Sequence, residues 1–411
     1  MAKRTYRTGS IEERNGTFRL RWSVDGRKFT KTLKAGTSKT DAGKELRKRL
    51  GAADNGQHVA PSNMTVNQWL DQWLSIGAPG KRKEPVGLRT LERYTQLLAE
   101  HVRPTLGDRP LQQLQPTEID ALYAEMAAKI SPWTGRPLSK TTQRHVAVVF
   151  GASLATAERS GAIAFNPMQK TQTKPKKGEV DHGIALETDE LATLVAGFRA
   201  TRFHSIVALA AATGARRNEL LALRWTDFNA EKGTIRIERA LEVTKNAATK
   251  KKIIRLKAPK TARGTRTVDL DPGTVAMLVA ERRKHQQIVA GIPDGADIDL
   301  SLIKLPPDAL IFPADLDVEN PTLTKTREPR DLSKNFRRVA RKLGFARMRF
   351  HNLRHSHSTI LLDAGVPVHR VAARIGDDPA TLLRTYAMLT KKTNEKMTDA
   401  VNALGTLLLK G

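Results

Sequence analysis

The chain has 411 residues, 70 of them Lys or Arg against 42 Asp or Glu, which leaves a formal net charge of +28. Its length exceeds what one compact core sustains, and domain sizes of ~100–200 residues divide it into three parts. The charge calls for a polyanionic partner, while the absence of cysteine excludes disulfides, thiolate metal sites and cysteine nucleophiles.

The basic residues are spread along the chain and not gathered in a tail. Residues 1–60 hold 15 Lys and Arg against 6 Asp and Glu, and clusters recur at Lys81-Arg82-Lys83, Lys174 to Lys177 and Lys250-Lys251-Lys252. The N-terminal Met-Ala-Lys-Arg-Thr-Tyr lacks the apolar stretch of a secretion signal, and no apolar run approaches the ~20 residues of a membrane span. The expectation is a protein of the cytoplasm, working on nucleoid DNA, with no membrane partner.

In residues 18–24, Phe-Arg-Leu-Arg-Trp-Ser-Val, apolar and polar side chains alternate, and Asp25-Gly26 gives a tight-turn signal before a second run from Arg27 to Leu33. This predicts a hairpin with a basic face, on which Arg19, Arg21 and Lys28 are the candidate DNA contacts, followed by a basic helix over about 41–50. Residues 1–60 therefore read as a small module, a three-stranded β-sheet plus a helix. Residues 64–167 read as an all-α domain: Trp69, Leu70, Trp73 and Leu74 share one helical face, and 88–102, 116–129 and 139–160 repeat the period. Residues 168–183 are polar and basic without periodic apolar positions, and read as a linker. From 184 to 395 a mixed α/β, mainly helical domain is expected, so the fold class is multidomain α+β. Its helices are expected at about 188–200, 203–212 and 217–223, its strands near 234–238, 252–256 and 265–270, with helices thereafter. Residues 396–411 form a tail whose Val401, Leu404, Leu407, Leu408 and Leu409 make an amphipathic stripe, suited to docking on a neighbouring protomer or to packing on its own domain.

The chemistry is concentrated in a few segments. In Ala212-Thr-Gly-Ala-Arg-Arg-Asn-Glu-Leu220, Arg216 falls where a helix begins, beside unpaired backbone N–H groups that favour a phosphate. In Phe350-His-Asn-Leu-Arg-His-Ser-His-Ser-Thr-Ile-Leu-Leu-Asp-Ala-Gly365, a helix would place His351 and Arg354 on one edge at its start. It would bury Leu353, His357, Ile360, Leu361 and Ala364, and stop at Gly365. His351, His355 and His357 do not share one helical face and no acidic ligand lies among them, so no metal is expected. Nor is a nucleotide cofactor: from Gly36 to Gly43-Lys44-Glu45 the spacing is too long, and Glu stands where Ser or Thr must bind Mg²⁺.

Taken together, these segments resemble the tyrosine recombinase (phage integrase) family, whose catalytic domain carries Arg, Lys, His-x-x-Arg, His or Trp, and Tyr in that order. Thr213 to Leu220 is similar to its first-arginine box, and Pro259-Lys-Thr-Ala-Arg-Gly-Thr-Arg266 to its lysine hairpin. His351-Asn-Leu-Arg-His355 is similar to its second box, and Gly365 to Gly376 with Thr385-Tyr-Ala387 to its closing segment. Leu106 to Leu114 and the helix ending at Asn166-Pro167 resemble the family's core-site-binding domain, and residues 1–60 its arm-site-binding module. The resemblance implies a C-shaped clamp around double-stranded DNA at core-type and arm-type attachment sites. It also implies a homotetramer on DNA, with a directionality factor as a further partner. The implied reaction is site-specific recombination through a 3′-phosphotyrosine intermediate, integrating and excising a phage or similar mobile element without metal or ATP.

By that resemblance Tyr386 is the nucleophile; the other three tyrosines, Tyr6, Tyr94 and Tyr123, fall in the two N-terminal regions. Arg216 and Arg354 meet the charge that collects on the nonbridging phosphate oxygens. A phenol with an ordinary pKa of ~10 must lose a proton as it attacks, and the departing 5′ oxygen must gain one. His351 fits the base and Lys260 the acid, with Lys257 and Lys250 to Lys252 as alternatives. One position departs from the pattern: Gly376-Asp377 stands where the family has Gly followed by His or Trp. Asp378 is expected to cap the helix begun by Pro379, and Asp377 either orients a neighbour or has no role. The rivals are a plasmid- or transposon-borne recombinase of the same chemistry, and a type IB topoisomerase, which would not need the arm module. A metal nuclease would need clustered carboxylates. A nonenzymatic DNA-binding regulator would not need the Arg, Lys, His-x-x-Arg, Tyr series.

Overall fold

The computed structural model describes residues 9–24, 27–54, 59–80, 83–131, 135–176, 178, 184–245, 249, 251–258, 262–293, 298–314 and 322–386. The side chain of Tyr386, all of Lys260 and the tail 396–411 lie outside what is described. The chain divides into two compact units, Met1–Glu179 and Val180–Gly411.

The first unit opens with an antiparallel sheet, β1 (Gly9–Arg14), β2 (Thr17–Val24) and β3 (Arg27–Thr32), in the order β1-β2-β3. Alternation does the sorting: Phe18, Leu20, Trp22 and Val24 are buried with Ala42 and Leu46 of α1 (Lys39–Asp54). The opposite face carries Arg19, Arg21 and Lys28, all exposed, and Arg21 pairs with Glu12 of β1 at 2.8 Å. The helix starts earlier than the expected 41 because the Ser38 hydroxyl accepts from the Asp41 backbone N–H at 3.1 Å.

A second apolar core gathers α2 (Val66–Ser75), α3 (Leu88–His101), α4 (Arg103–Leu106), α5 (Pro116–Ala128) and α6 (Lys140–Arg159). Thr65 and Gln68 cap α2 reciprocally, at 3.2 and 2.9 Å. Trp69, Leu70 and Trp73 are buried, and the Trp69 indole donates to the Ser153 carbonyl at 3.2 Å. Residues at the start of the stretch read as a linker are held against α5, where the Asp120 carboxylate accepts from the backbone N–H groups of Gln172 and Thr173.

The second unit begins with α7 (Thr188–Ala196), α8 (His204–Thr213) and α9 (Arg217–Leu220). Next come β4 (Phe228–Asn229), β5 (Thr234–Ile237), β6 (Ala240–Lys245), β7 (Lys252–Lys257) and β8 (Arg266–Asp269). It continues through α10 (Pro272–Ala290), α11 (Pro329–Lys342), α12 (Asn352–Asp363), α13 (Val368–Ile375) and α14 (Pro379–Tyr386). Strands β4, β5 and β8 form one sheet, and β6 pairs with β7 in a separate hairpin. Strand β6 was not foreseen, since Ala-Leu-Glu-Val-Thr-Lys reads weakly by itself and gains its pairing from β7. Helix α9 stops at Leu220, three residues short of expectation: beyond it the backbone tightens into i→i+3 bonds, from the N–H of Ala222 to the Glu219 carbonyl and from that of Leu223 to the Leu220 carbonyl. In the core, Phe198 stacks on Phe336 at 5.3 Å and Phe336 meets Phe350 edge-on at 5.4 Å, which joins the end of α7 to α11 and to the start of α12. Along α12, Leu353 and His357 are buried and Ile360 and Leu361 are half-buried, but Ala364 is exposed; it already belongs to the turn that Gly365 closes with φ +84. Among the described residues no helix is long and apolar enough to cross a membrane.

Two glycines shape this unit. Gly214 ends α8 with φ +62, and a Cβ there would lie 2.7 Å from the His357 ring and 2.9 Å from Ile375. Gly376 ends α13 with φ +68, and a Cβ there would lie 2.7 Å from the Arg266 guanidinium. Both positions need the left-handed conformation and the missing side chain together. Gly214→Ala is therefore expected to lower stability by at least ~1–2 kcal/mol, the cost of a left-handed L-residue before any clash. Urea unfolding of the full chain measures this, and an unchanged midpoint would show that the α8–α9 turn relaxes freely.

Candidate active site

The site is assembled around the C-terminal ends of α8 and α13. The last carbonyls of a helix lack intrahelical partners and carry the negative end of its dipole, so they attract cations. Four arginines take them. Arg354, in the first turn of α12, donates through Nη1 to the carbonyls of Gly214 at 3.0 Å and Ile375 at 2.7 Å. Arg216 Nη2 donates to the Gly376 carbonyl at 3.0 Å. Arg374 Nη2 donates to the carbonyls of Ala212 and Asp269, and Arg266 Nε to that of Arg374 at 2.7 Å.

Two carboxylates complete the charge balance. Glu219, 5% exposed, accepts from Arg216 Nη1 and from Arg266 Nη2, each at 2.9 Å, and also from the Arg216 backbone N–H. Burial alone would raise its pKa; the hydrogen bonds and charges of Arg266 and Arg216 outweigh that and hold it below the usual carboxylate range. Asp377 Oδ2 accepts from Arg354 Nη2 at 2.8 Å and lies 3.7 Å from Arg216 Nη2. Its pKa is likewise lowered against its burial by Arg354. Arg354 itself is pushed down to about 10, first by burial and then by Arg216.

Arg216 lies at a helix start, as expected, but that start does not place its side chain. Helix α9 is a single turn, and the backbone N–H of Arg216 at its start is taken by Glu219. Arg216 is placed instead by the C-terminal carbonyl of α13 and by Glu219.

His351 sits at the mouth of the site, its ring edge-on to His355 at 4.8 Å. One side is open to solvent, yet the protein packed around it, together with His355, Arg354 and Arg216, pushes its pKa down to about 4, against the opposing pull of Asp377. The imidazole is neutral at pH 7. His357 faces the other way: Nδ1 meets the Ala211 carbonyl at 2.8 Å and Nε2 accepts from Arg374 Nε at 3.2 Å, which fixes a neutral Nδ1–H tautomer. The three histidines thus have different surroundings, and among the described residues no three His, Asp or Glu are placed to hold a metal ion.

Arg216 and His351 open on a cleft of about 660 Å³ whose far wall is α11. Arg330, Lys334 and Arg337 of that helix line it, while Leu332, Phe336 and Ala340 on the reverse side are buried. Sequence reasoning missed these three basic residues. Their i, i+4, i+7 spacing opposite a buried apolar stripe was the available signal. Glu219, Arg266 and Arg374 were missed too, though each lies within a quoted motif.

Asp378 caps α14, its Oδ1 accepting from the Ala380 backbone N–H at 2.9 Å, and its other oxygen pairs with Arg263 at 2.5 Å. Tyr386 is the last residue of α14. Of the alternative acids, Lys257 is paired with Glu242 at 3.5 Å and Lys252 with Glu328 at 3.0 Å.

A mainly helical domain with paired arginines, a neutral histidine between them and solvent, and a tyrosine on the closing helix defines a tyrosine site-specific recombinase. Residues 185–393 match the model of the phage integrase family, and the chain belongs to that family. It is 24% identical over 352 residues to the integrase of Mycobacterium phage D29, covering 86% of this chain and 82% of that one. To the integrase of Streptomyces ambofaciens it is 25% identical over 365 residues, covering 88% and 85%. Among solved structures, the Tn1549 transposon integrase in complex with transposon right end DNA has a TM-score of 0.60 at 17% identity, covering 82% of this chain and 100% of that chain. A lambda integrase tetramer bound to a Holliday junction has a TM-score of 0.52 at 17% identity, covering 90% and 94%. These structures share the fold.

The tautomer of His357 carries a pH dependence. Its pKa is pushed down to about 4, first by burial and then by Arg374, against ~6.5 in the unfolded chain. Between those values the unfolded chain binds the extra proton, so stability is complete above ~6.5 and falls as pH drops towards 4. Glutamine can offer the same donor and acceptor without titrating. Between pH 6.5 and 4, His357→Gln should lose measurably less stability than the parent in thermal unfolding; parallel losses would remove His357 from the acid response.

Proposed function

We propose that this integrase cleaves and rejoins DNA through a 3′-phosphotyrosine on Tyr386, with Arg216 and Arg354 holding the scissile phosphate. The observation that carries the reading is the convergence of the two guanidiniums on one place, within 2.8 and 3.7 Å of a single carboxylate oxygen, beside His351 and a basic cleft. Planar arginine forks fixed by helix-end carbonyls meet developing oxyanion charge without reorganising, and each is worth ~3 kcal/mol on the scale of single oxyanion donors. His351 takes the phenolic proton. Burial is the first cause of its low pKa; the negative charge of a bound phosphate offsets the further contribution of Arg354 and Arg216 and so makes the imidazole a stronger base than in the free protein. Lys260 delivers the proton to the leaving 5′ oxygen. Arg330, Lys334 and Arg337 line the cleft with positive charge for the flanking backbone.

The same reading assigns residues 1–60 to arm-type sites through Arg19, Arg21 and Lys28, 64–167 to core-type sites, 168–183 to a linker, 184–395 to catalysis and 396–411 to a tail that docks on a neighbouring protomer. The assembly is a homotetramer on two sites, in keeping with the lambda tetramer, in the cytoplasm on nucleoid DNA, with a directionality factor for excision of a phage or similar element.

Tyr386→Phe removes only the nucleophilic oxygen. On a nicked duplex bearing the element's own junction it should form no covalent adduct on a denaturing gel while binding within about threefold of the parent; a surviving adduct would mean that another residue attacks. A truncation beginning at Ser62 should keep cleavage of a short core duplex and lose integration that needs arm sites, since bridging raises effective concentration without changing bond breaking. Arm-site affinity of the full chain should fall with salt by a slope near ~0.9 per phosphate neutralised. Full integration by the truncated chain would remove the arm-binding assignment.

A further inference from the structure

A carboxylate is the wrong sign for a phosphate site, yet Asp377 is at its centre. Its Oδ2 lies between the two arginines assigned to the phosphate, 2.8 Å from Arg354 Nη2 and 3.7 Å from Arg216 Nη2. Of the two terminal nitrogens of Arg354, Nη1 is held by the carbonyls of Gly214 and Ile375, and the side chain is only 5% exposed. Nη2 is therefore the part of the fork left for a ligand, and Asp377 has it. Arg216 is similarly committed on one side to Glu219 and Gly376. An oxygen shared by both guanidiniums must come to the place where Oδ2 is.

The Asp377 side chain is built to leave. Its backbone is anchored, with the N–H donating to the Ala372 carbonyl at 2.9 Å, after Gly376 in the left-handed conformation and before Asp378 at the start of α14. The carboxylate, however, is 30% exposed, and besides the arginines it accepts, among the described residues, only the Asp378 backbone N–H at 3.1 Å. A rotation about its side-chain bonds moves it into solvent without moving the chain.

We infer that Asp377 is the resident anion of the arginine pair, a positioning residue that keeps Arg216 and Arg354 fixed and compensated in the DNA-free protein and gives up its place to the phosphate. The inference rests on the phosphate-holding role of those arginines. A histidine or tryptophan at this position, lacking negative charge, would leave the pair open to any oxyanion. With Asp377 the pair is screened until a phosphate is delivered by the rest of the DNA interface.

The test is calorimetric titration of the full, DNA-free chain with orthovanadate, a tetrahedral oxyanion, with Arg354→Gln defining binding elsewhere. Asp377→Asn keeps an acceptor for Arg354 but loses the charge, and should bind vanadate at least tenfold more tightly than the parent; Asp377→Ser should do the same. Asp378→Asn loses an equal charge one residue away, from a carboxylate paired with Arg263, and should change the affinity less than twofold. Equal affinity in the parent and both neutral Asp377 variants would overturn the inference, as would equal gains at 377 and 378, which would reduce the effect to net charge. Loss of fold in both neutral variants would also overturn it, because a carboxylate the fold requires is not displaceable. Adduct formation on the nicked duplex keeps the two questions apart. Adduct formed by Tyr386→Phe sinks the assigned chemistry whatever vanadate does, whereas a Tyr386-dependent adduct with unchanged vanadate affinities sinks only the role of Asp377.

Discussion

Arg354 Nη1 bridges two helix ends. It donates at once to Gly214, which closes α8, and to Ile375, which closes α13, and so ties together two helices that meet nowhere in the sequence. Each helix end carries the equivalent of about half a negative charge on unsatisfied carbonyls. Two such ends facing one guanidinium add to the compensation that Asp377 gives this buried cation. The arrangement depends on both chains turning away sharply after the helix, which is why left-handed glycines stand at 214 and 376, each packed so closely that no side chain would fit. The geometry of the active site is thus a consequence of how two helices terminate.

Placing four arginines within reach of one another raises the opposite problem, mutual repulsion in a partly dry setting. The protein resolves it with few full negative charges. Glu219 serves Arg216 and Arg266 together, Asp377 serves Arg354 and lies near Arg216, and Arg374 is satisfied by carbonyls and by a neutral histidine. Removing one partner of the buried Glu219–Arg266 pair typically costs ~3–5 kcal/mol because the remaining charge is left unpaired. The set leaves excess positive charge beside His351, whose imidazole is kept neutral first by the protein packed around it and then by His355, Arg354 and Arg216.

Much of this architecture was legible in the sequence where a strict period or a fixed motif carried it. The alternation from Phe18 to Val24 gave the basic hairpin, Trp69, Leu70 and Trp73 gave the α2 face, and the spacing of His351 and Arg354 put both at the start of α12. What the sequence could not supply were the contacts made across long separations. Arg216 and Gly376 are 160 residues apart, and Arg354 meets Gly214 across 140. Local pattern put Arg216 at a helix start, where it is; it could not show that the guanidinium is held by a helix C-terminus and by Glu219, three residues away on its own turn. Strand β6 escaped notice because its hydrogen bonds, and not its own side chains, make it a strand.

The positive charge of the chain accordingly does two kinds of work. Surface cations such as Arg19 and Lys28 on the sheet, or Arg330 and Arg337 on α11, are exposed and keep their hydration, and cations of this kind act on a polyanion by releasing counterions. Their contribution is long-range, sensitive to salt and indifferent to the exact position of a side chain. The arginines at the ends of α8 and α13 are the reverse: held by carbonyls and carboxylates, they contribute little to long-range attraction, and on the phosphate-holding role proposed for Arg216 and Arg354 their value is in being already in place when charge develops. A surface Arg can be shifted by an ångström without loss, whereas Arg354 cannot, since two helices would have to move with it.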